Sequence, residues 1–589
     1  MYNSRSSQYH HWLSKGQFAA RFAPSAASTS ALAGYLKGQG LKIAASPSPF
    51  LLRATGSSAR VSAAFKTSLS TYRDPKGKTY FSNSSAVKLP VSMVSHVLGV
   101  VGLSNTVREK SMVQRAKGTI RPSGSTSAAA SCEAPYPTRA QLFNDINNGV
   151  GFPFGYGAGP GCNGLTPSQD NSLYGAPGAG AAGKGKGANI AVFELSAYQQ
   201  SDINTWTSTF YGSHFTAPLS NVIVDGGPLN AQCPAGDTCP PAFNFYAGDI
   251  EVDADIEIQL AVAPDVRNLQ VYEAPNDFTG QTTLDLYNKI ASDDTADSVS
   301  SSWAVCENDA GSSIVQAENT IFEQMAMQGQ SVFGAAGDTG GFACIRSDGT
   351  TIPNVLDPPS QPWVTSVGGT SFDQFNPGEN AHPSYPKAGT ETVWNVDNLC
   401  NSSASEGMQT GFFWCGATGA GGGGTSQFWG RPSYQAGADV NNPGTVTGTC
   451  SLASPGTPCR EVPDVSANAD EFTPYAEFCT ANANTPESAC GFSAGQTPPG
   501  WFGIGGTSLS SPLWSAIFAD RDGFQGQRAG NANVLLYQMF RKNYHRFFHD
   551  ITGAGQSPNN NGLFPVRKGY DMATGIGTPI MARLITAKF

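Results

Sequence analysis

Gly505-Gly506-Thr507-Ser508-Leu509-Ser510-Ser511-Pro512 runs directly into Leu513-Trp514-Ser515-Ala516-Ile517-Phe518-Ala519. A tight glycine turn here delivers a serine to the start of an apolar helix. The free N–H groups and the dipole at that end favour negative charge beside the hydroxyl. Such a placement suits a nucleophile, yet the same tetrapeptide recurs at Gly368-Gly369-Thr370-Ser371. The earlier copy follows a strand-like run and leads into Phe372-Asp373-Gln374-Phe375, with no helix to receive it. It reads as a structural turn.

Outward from Ser508, strand-like apolar runs at 188–195, 266–272, 298–303, 331–335 and 363–367 alternate with helical stretches at 249–264, 283–291 and 314–328. That alternation predicts an α/β fold, with a parallel sheet and crossover helices. The first 110 or so positions differ: helical patterns at 17–22, 31–36 and 57–69 accompany a strand-like 50–54. Residues 109–131 are mostly small and polar, and read as a flexible linker open to proteolytic nicking. Residues 372–500 read as loop-dominated, around the glycine run at 419–424.

A chain of 589 residues implies two or more domains. Only 13% of residues are charged, so protonating the carboxylates would break few ion pairs, which suits acid tolerance. The net charge of −9 and the lack of a Lys/Arg cluster argue against a nucleic-acid partner. No apolar run approaches the roughly 18 residues of a membrane span. The twelve cysteines include close pairs such as Cys233/Cys239, Cys400/Cys415, Cys450/Cys459 and Cys479/Cys490, and none has C-x-x-C spacing. They read as disulfides made in an oxidising compartment, with connectivity open. Residues 1–20 are not a signal peptide, so the expectation is an exported protein whose natural start lies upstream.

A reactive serine needs a base. After the linker the histidines are His214, His382, His545 and His549, and none has a catalytic-looking setting. Carboxylates are better placed. In Asp249-Ile250-Glu251-Val252-Asp253-Ala254-Asp255-Ile256-Glu257, Glu251 and Asp255 share one helix face, and Asp253 and Glu257 share another. Either pair would repel, raising one pKa and letting the two share a proton at low pH. Spacing does not choose between them. Further on, an apolar strand ends in Gly337-Asp338-Thr339-Gly340. That places Asp338 at the C-terminal end of a parallel strand, where α/β proteins bind ligands.

In order and spacing, Glu251-x-x-x-Asp255, Gly337-Asp338-x-Gly340 and Gly505-Gly506-Thr507-Ser508-x-x-Ser511-Pro512 resemble the sedolisins, serine-carboxyl peptidases of kumamolisin and tripeptidyl-peptidase type. Ser300-Ser301-Ser302-Trp303, Asp357-Pro358-Pro359-Ser360 and Arg460-Glu461-Val462-Pro463-Asp464 also look like that family, and Tyr9-His10-His11-Trp12 looks like its activation prodomain. The resemblance implies a subtilisin-like α/β catalytic domain with a central parallel sheet at 132–589. Before it would come an α+β, ferredoxin-like prodomain at 1–115 and a linker with the cleavage region at 116–131.

It further implies Ser508 as nucleophile, Glu251 as base, Asp255 as its orienting partner and a protonated Asp338 as oxyanion donor. One calcium ion would be held by the side chains of Asp550 and Asp571 and the carbonyls of Ile551, Arg567 and Gly569, with Arg567 standing where the family usually has Gly. The implied protein is a secreted monomer: an acid-active endopeptidase acting on proteins or peptides, made as a zymogen with its own prodomain as intramolecular inhibitor. A tripeptidyl exopeptidase and a catalytically silent binding protein are the alternatives. Ala304 and Gly421 depart from the family's common Gly and Ser, which bears on specificity.

Overall fold

The computed structural model describes residues 1–46, 48–73, 77, 79–107, 109–115, 159–160, 164–177, 184–228, 248–346, 352–372, 391–395, 419–437, 440, 450–471, 473–479, 500–553 and 559–588. The sheet strands in chain order are β1 Asn189–Glu194, β2 Leu219–Ile223, β3 Asn268–Glu273, β4 Ser298–Ser301, β5 Ser331–Ala335, β6 Thr365–Phe372, β7 Glu391–Val393 and β8 Val465–Asn468. Spatially they run β7–β6–β5–β4–β1–β3–β2, with β8 also pairing β6. Every pairing is parallel except that of β7 with β6. The α/β expectation is met.

Alternate residues of β1 enter different cores, because strand side chains alternate between faces. Ile190 and Val192 pack with Ile256 and Leu260 of helix Asp249–Val262 and with Leu513 and Ile517 of helix Thr507–Gln525. Ala191 and Phe193 pack instead with Leu286, Ile290 and Phe322, on helices Gln281–Asp293 and Glu307–Met327. With helices on both faces, the C-terminal ends of β1, β4 and β5 form one open edge.

The turn expected at Gly368–Ser371 is absent, since these residues continue β6. Their glycines serve close packing. A Cβ on Gly368 would lie 2.7 Å from Pro463, and one on Gly369 2.5 Å from Trp394.

The N-terminal unit carries helices Gln17–Phe22, Ala26–Gly38 and Ser58–Phe65. Its strands pair antiparallel, Lys42–Ala44 with Arg53–Thr55 and Leu69–Arg73 with Thr79–Asn83. Among the described residues these are two separate ladders, where a ferredoxin-like arrangement would join four strands. The unit is anchored at one end of the sheet. Trp12 Nε1 donates to the Arg528 carbonyl (3.2 Å), Leu13 N–H to that of Met327 (2.9 Å), and the Tyr2 hydroxyl to that of Ala326 (2.6 Å). Gly329 and Gly530 make room: a Cβ on either would lie 2.7 Å from Trp12.

Residues 110–115, read as the start of a flexible linker, are extended and paired. Lys110–Ser111 lies antiparallel on Trp303–Cys306, and Gln114–Arg115 antiparallel on Gly500–Gly505. The expected cleavage region at 116–131 lies outside the described residues, as does His382. Cys450 is bonded to Cys459 and Cys306 to Cys344, which settles two pairings the sequence left open, and no described cysteine is free. Cys132, Cys162, Cys233, Cys239, Cys400, Cys415 and Cys490 fall outside the described residues. No described helix is long and apolar enough to cross a membrane.

Candidate active site

Gly506 takes φ +106°, a conformation L side chains rarely adopt, and its N–H donates to the Ala469 carbonyl (2.6 Å). This turn starts the helix that carries Ser508 in its first turn, facing the buried helix Asp249–Val262. Ser508 Oγ and Glu251 Oε1 are both buried without a well-formed hydrogen bond. They are nevertheless close enough for the hydroxyl to lower the Glu251 pKa. Glu251 Oε2 accepts the Val113 N–H at 2.9 Å.

Asp255 lies one turn further on. Its Oδ1 is 2.7 Å from Ser302 Oγ, which is also 3.2 Å from the Ser508 carbonyl oxygen. Pro512 explains why that carbonyl needs an outside donor: proline lacks the N–H that would bond four residues back. One hydroxyl thus links the acidic helix to the serine's own backbone.

Behind Asp255 stands Glu194, the last residue of β1, which nothing in the sequence patterns singled out. Trp303 Nε1 donates to its Oε2 at 2.7 Å. Its position as the final residue of a buried parallel strand was the available signal. Burial holds Glu194, Asp255 and Glu251 above the usual carboxylate range, and the charge of Asp255 pushes Glu194 and Glu251 further up. With burial and one another's charge acting in the same direction, the set is best satisfied when it shares protons.

Asp338 follows β5 and is buried. The N–H and hydroxyl of Thr507 both donate to its Oδ1, at 2.8 and 2.9 Å, and Thr507 Oγ1 accepts the Gly337 N–H (3.1 Å). The threonine between the glycine turn and Ser508 therefore fixes the carboxyl beside it. Glu251, Asp255, Asp338 and Ser508 converge. Asp253 and Glu257 point away, toward Asp202, Asp249 and Glu477.

The expected calcium residues lie together on two loops. Asp550 accepts from Tyr544 Oη (3.0 Å) and from the Gly569 N–H (3.1 Å), and Asp571 from the N–H groups of Arg567, Ala573 and Thr574. Arg567 is not among the residues with positive φ, so the position needs no glycine. Two carboxylates on these loops are of the oxygen-donor type that suits a hard cation. A separate cluster, Asp202, Asp253 and Cys479, has ligand atoms within 4.8 Å of one another. Cys479 is disulfide-bonded, however, and offers no thiolate.

Residues 1–106 match the family described as Pro-kumamolisin, activation domain. Kumamolisin from Bacillus sp. (strain MN-32) is 30% identical over 413 residues, 68% of this chain and 60% of kumamolisin. Sedolisin from Pseudomonas sp. (strain 101) is 27% identical over 585 residues, 98% of this chain and 81% of sedolisin. The chain thus spans less than two thirds of kumamolisin's length. The solved structure of Pseudomonas sedolisin complexed with two molecules of pseudo-iodotyrostatin matches with a TM-score of 0.52 at 23% identity, covering 72% of this chain and 97% of that one. That match speaks for the fold.

Fold and site define the class, a subtilisin-like α/β protein with a serine set among carboxyl groups. The chain belongs to the sedolisin family of serine-carboxyl peptidases, with an activation domain at its N-terminal end.

Proposed function

We propose that this protein is an acid-active endopeptidase, exported as a zymogen, with Ser508 as nucleophile and Glu251 as its base. The observation that carries the reading is the extended segment 110–115, paired on strands to both sides of Ser508, with the Val113 N–H on Glu251. A chain that continues past Lys110 at one end and Arg115 at the other occupies an open cleft. That favours cutting within chains over removal of tripeptides from a free N-terminus, and product analysis on one long peptide separates the two.

Glu251 Oε1 takes the Ser508 proton as Oγ attacks, and later returns it to the departing nitrogen. Asp255 orients Glu251, while Glu194 and Trp303 position Asp255. Asp338, fixed through Oδ1 by Thr507, donates from its other oxygen to the oxyanion. That donation needs a protonated carboxyl, so raising pH removes it. Glu251 is fully buried beneath the 110–115 segment. When the segment leaves, water reaches the carboxyl and its proton affinity falls, making the base available in acid. The prodomain therefore acts as intramolecular inhibitor.

One calcium ion would be held by the Asp550 and Asp571 carboxylates with the carbonyls of Ile551, Arg567 and Gly569, tying the C-terminal loops together. The deciding experiment compares hydrolysis of an acid-denatured protein by wild type, Ser508→Ala and Glu251→Gln across pH. Wild-type activity confined to acid and lost in both variants supports the reading. Equal rates in wild type and Ser508→Ala overturn it.

A further inference from the structure

We propose that the first bond this protein cuts in itself is Met112–Val113, and that the pocket around Met112 makes it select leucine- or methionine-sized apolar residues before the cut bond. This rests on the function proposed above and names its substrate class.

Consecutive backbone amides mark the bond. The Met112 N–H donates to the Ser302 carbonyl at 3.2 Å, and the Val113 N–H donates to Glu251 Oε2 at 2.9 Å. The nitrogen that must receive a proton as its bond breaks is therefore already on the base. Pairing on both sides agrees. Before the bond, Ser111 lies opposite Trp303 and Lys110 opposite Ala304. After it, Gln114 lies opposite Gly505 and Arg115 opposite Ile504. Met112–Val113 thus spans the gap between the two edge strands, and Gly505 leads through Gly506 and Thr507 to Ser508.

The side chains add specificity. Lys110, Ser111 and Val113 are partly exposed, whereas Met112 is buried among Ala304, Ala335, Ala343 and Leu356. Small walls give the pocket depth, and the side chains that touch Met112 there are apolar. A long unbranched or leucine-like side chain fits, while a glycine would leave the pocket empty.

In the cut, Ser508 Oγ bonds to the Met112 carbonyl carbon and its proton passes to Glu251. The C–N bond breaks, and Glu251 gives that proton to the Val113 nitrogen, which becomes a free amino terminus. Water then attacks the Met112–Ser508 ester: hydroxide joins Met112 as its carboxylic acid, and the proton returns through Glu251 to Ser508 Oγ. Processing thereby starts before the 116–131 region.

The test acidifies the purified full chain beside an added acid-denatured protein, with intact-mass and N-terminal sequencing at the earliest times. The expected first products end at Met112 and begin at Val113, and neither forms in Ser508→Ala. Met112→Arg slows this cut about ten- to hundredfold and Met112→Leu by no more than about threefold. On peptides, cleavage after Met or Leu exceeds cleavage after Gly or Arg by about tenfold or more, and Ala343→Phe reverses the preference toward Gly. A Ser508-dependent first cut elsewhere, or an unslowed Met112→Arg, overturns the inference while leaving the peptidase reading intact. Failure of wild type to cut either itself or the added protein overturns both.

Discussion

Ser302→Ala separates two jobs that one hydroxyl performs. Its Oγ lies 2.7 Å from Asp255 Oδ1 and 3.2 Å from the Ser508 carbonyl, which Pro512 cannot serve. Removing it leaves a buried carbonyl unpaired, at a cost of about 1–3 kcal/mol in stability. It also removes a short hydrogen bond from Asp255, the proposed orienting partner of Glu251. With the hydroxyl's single proton on the carbonyl, a protonated Asp255 donates to Ser302 Oγ, and such a neutral bond contributes about 0.5–1.5 kcal/mol, or roughly two- to tenfold in kcat where it is needed only in the transition state. Pro512→Ala restores an N–H to the carbonyl without touching Asp255. The double variant Ser302→Ala/Pro512→Ala should therefore regain part of the lost stability, less about 0.4–1 kcal/mol for the proline's effect on the unfolded chain. It should regain none of the lost kcat. Thermal unfolding is read in a Ser508→Ala background, to prevent self-cleavage, and kcat is read with a quenched peptide in acid. Recovery of kcat by Pro512→Ala, or wild-type kcat in Ser302→Ala, would refute this division.

Thr507→Val should lower kcat about tenfold with little change in KM, because Asp338 keeps one of its two ties, and Thr507→Ser should restore it; steady-state kinetics decide. Asp253→Asn should leave kcat in acid unchanged but raise the thermal midpoint near neutrality. Its carboxyl is held well above the usual range by burial, then by Asp202 and Asp249, so stability is full below the unfolded pKa and falls as pH rises. The same sign applies to prosegment docking at Glu109, whose pKa burial and Asp357 raise, with Glu318 and Tyr287 facing the same cluster and Glu307 beside Asp357. In Ser508→Ala, docking should weaken above about pH 4.5 by up to roughly 1.4 kcal/mol per pH unit for each proton. Glu109→Gln should flatten that slope in hydrogen exchange of residues 110–115, and an unchanged slope would rule the cluster out. Chelation should lower the thermal midpoint and calcium restore it, while Asp550→Asn should respond to neither.

Much was legible along the chain. Buried parallel strands announce themselves as continuous apolar runs, so β1 and β5 appear within a few residues of their true ends. The turn before Ser508 was readable because a positive φ at Gly506 admits little but glycine. The same letters misled at Gly368–Ser371, where glycines make room for Trp394 and Pro463 inside a strand. Local composition cannot distinguish a glycine that turns from one that yields space.

Sequence alone thus determined the class of chemistry: a serine at a helix start, carboxylates at helical spacing, an aspartate after a strand, and no suitably placed histidine. Helical spacing left two carboxylate pairs open, a family resemblance pointed to one of them, and only the tertiary structure decided which pair stands beside that serine. Glu251 and Asp255 face it while Asp253 and Glu257 face Asp202 and Glu477, because helix Asp249–Val262 is buried all round and its neighbours alone distinguish its faces. Contacts between residues far apart in the chain brought in Glu194, tied Asp338 to Thr507, and laid residues 110–115 across the site. Such contacts leave no periodic trace in the sequence, since they depend on where the sheet delivers its strand ends.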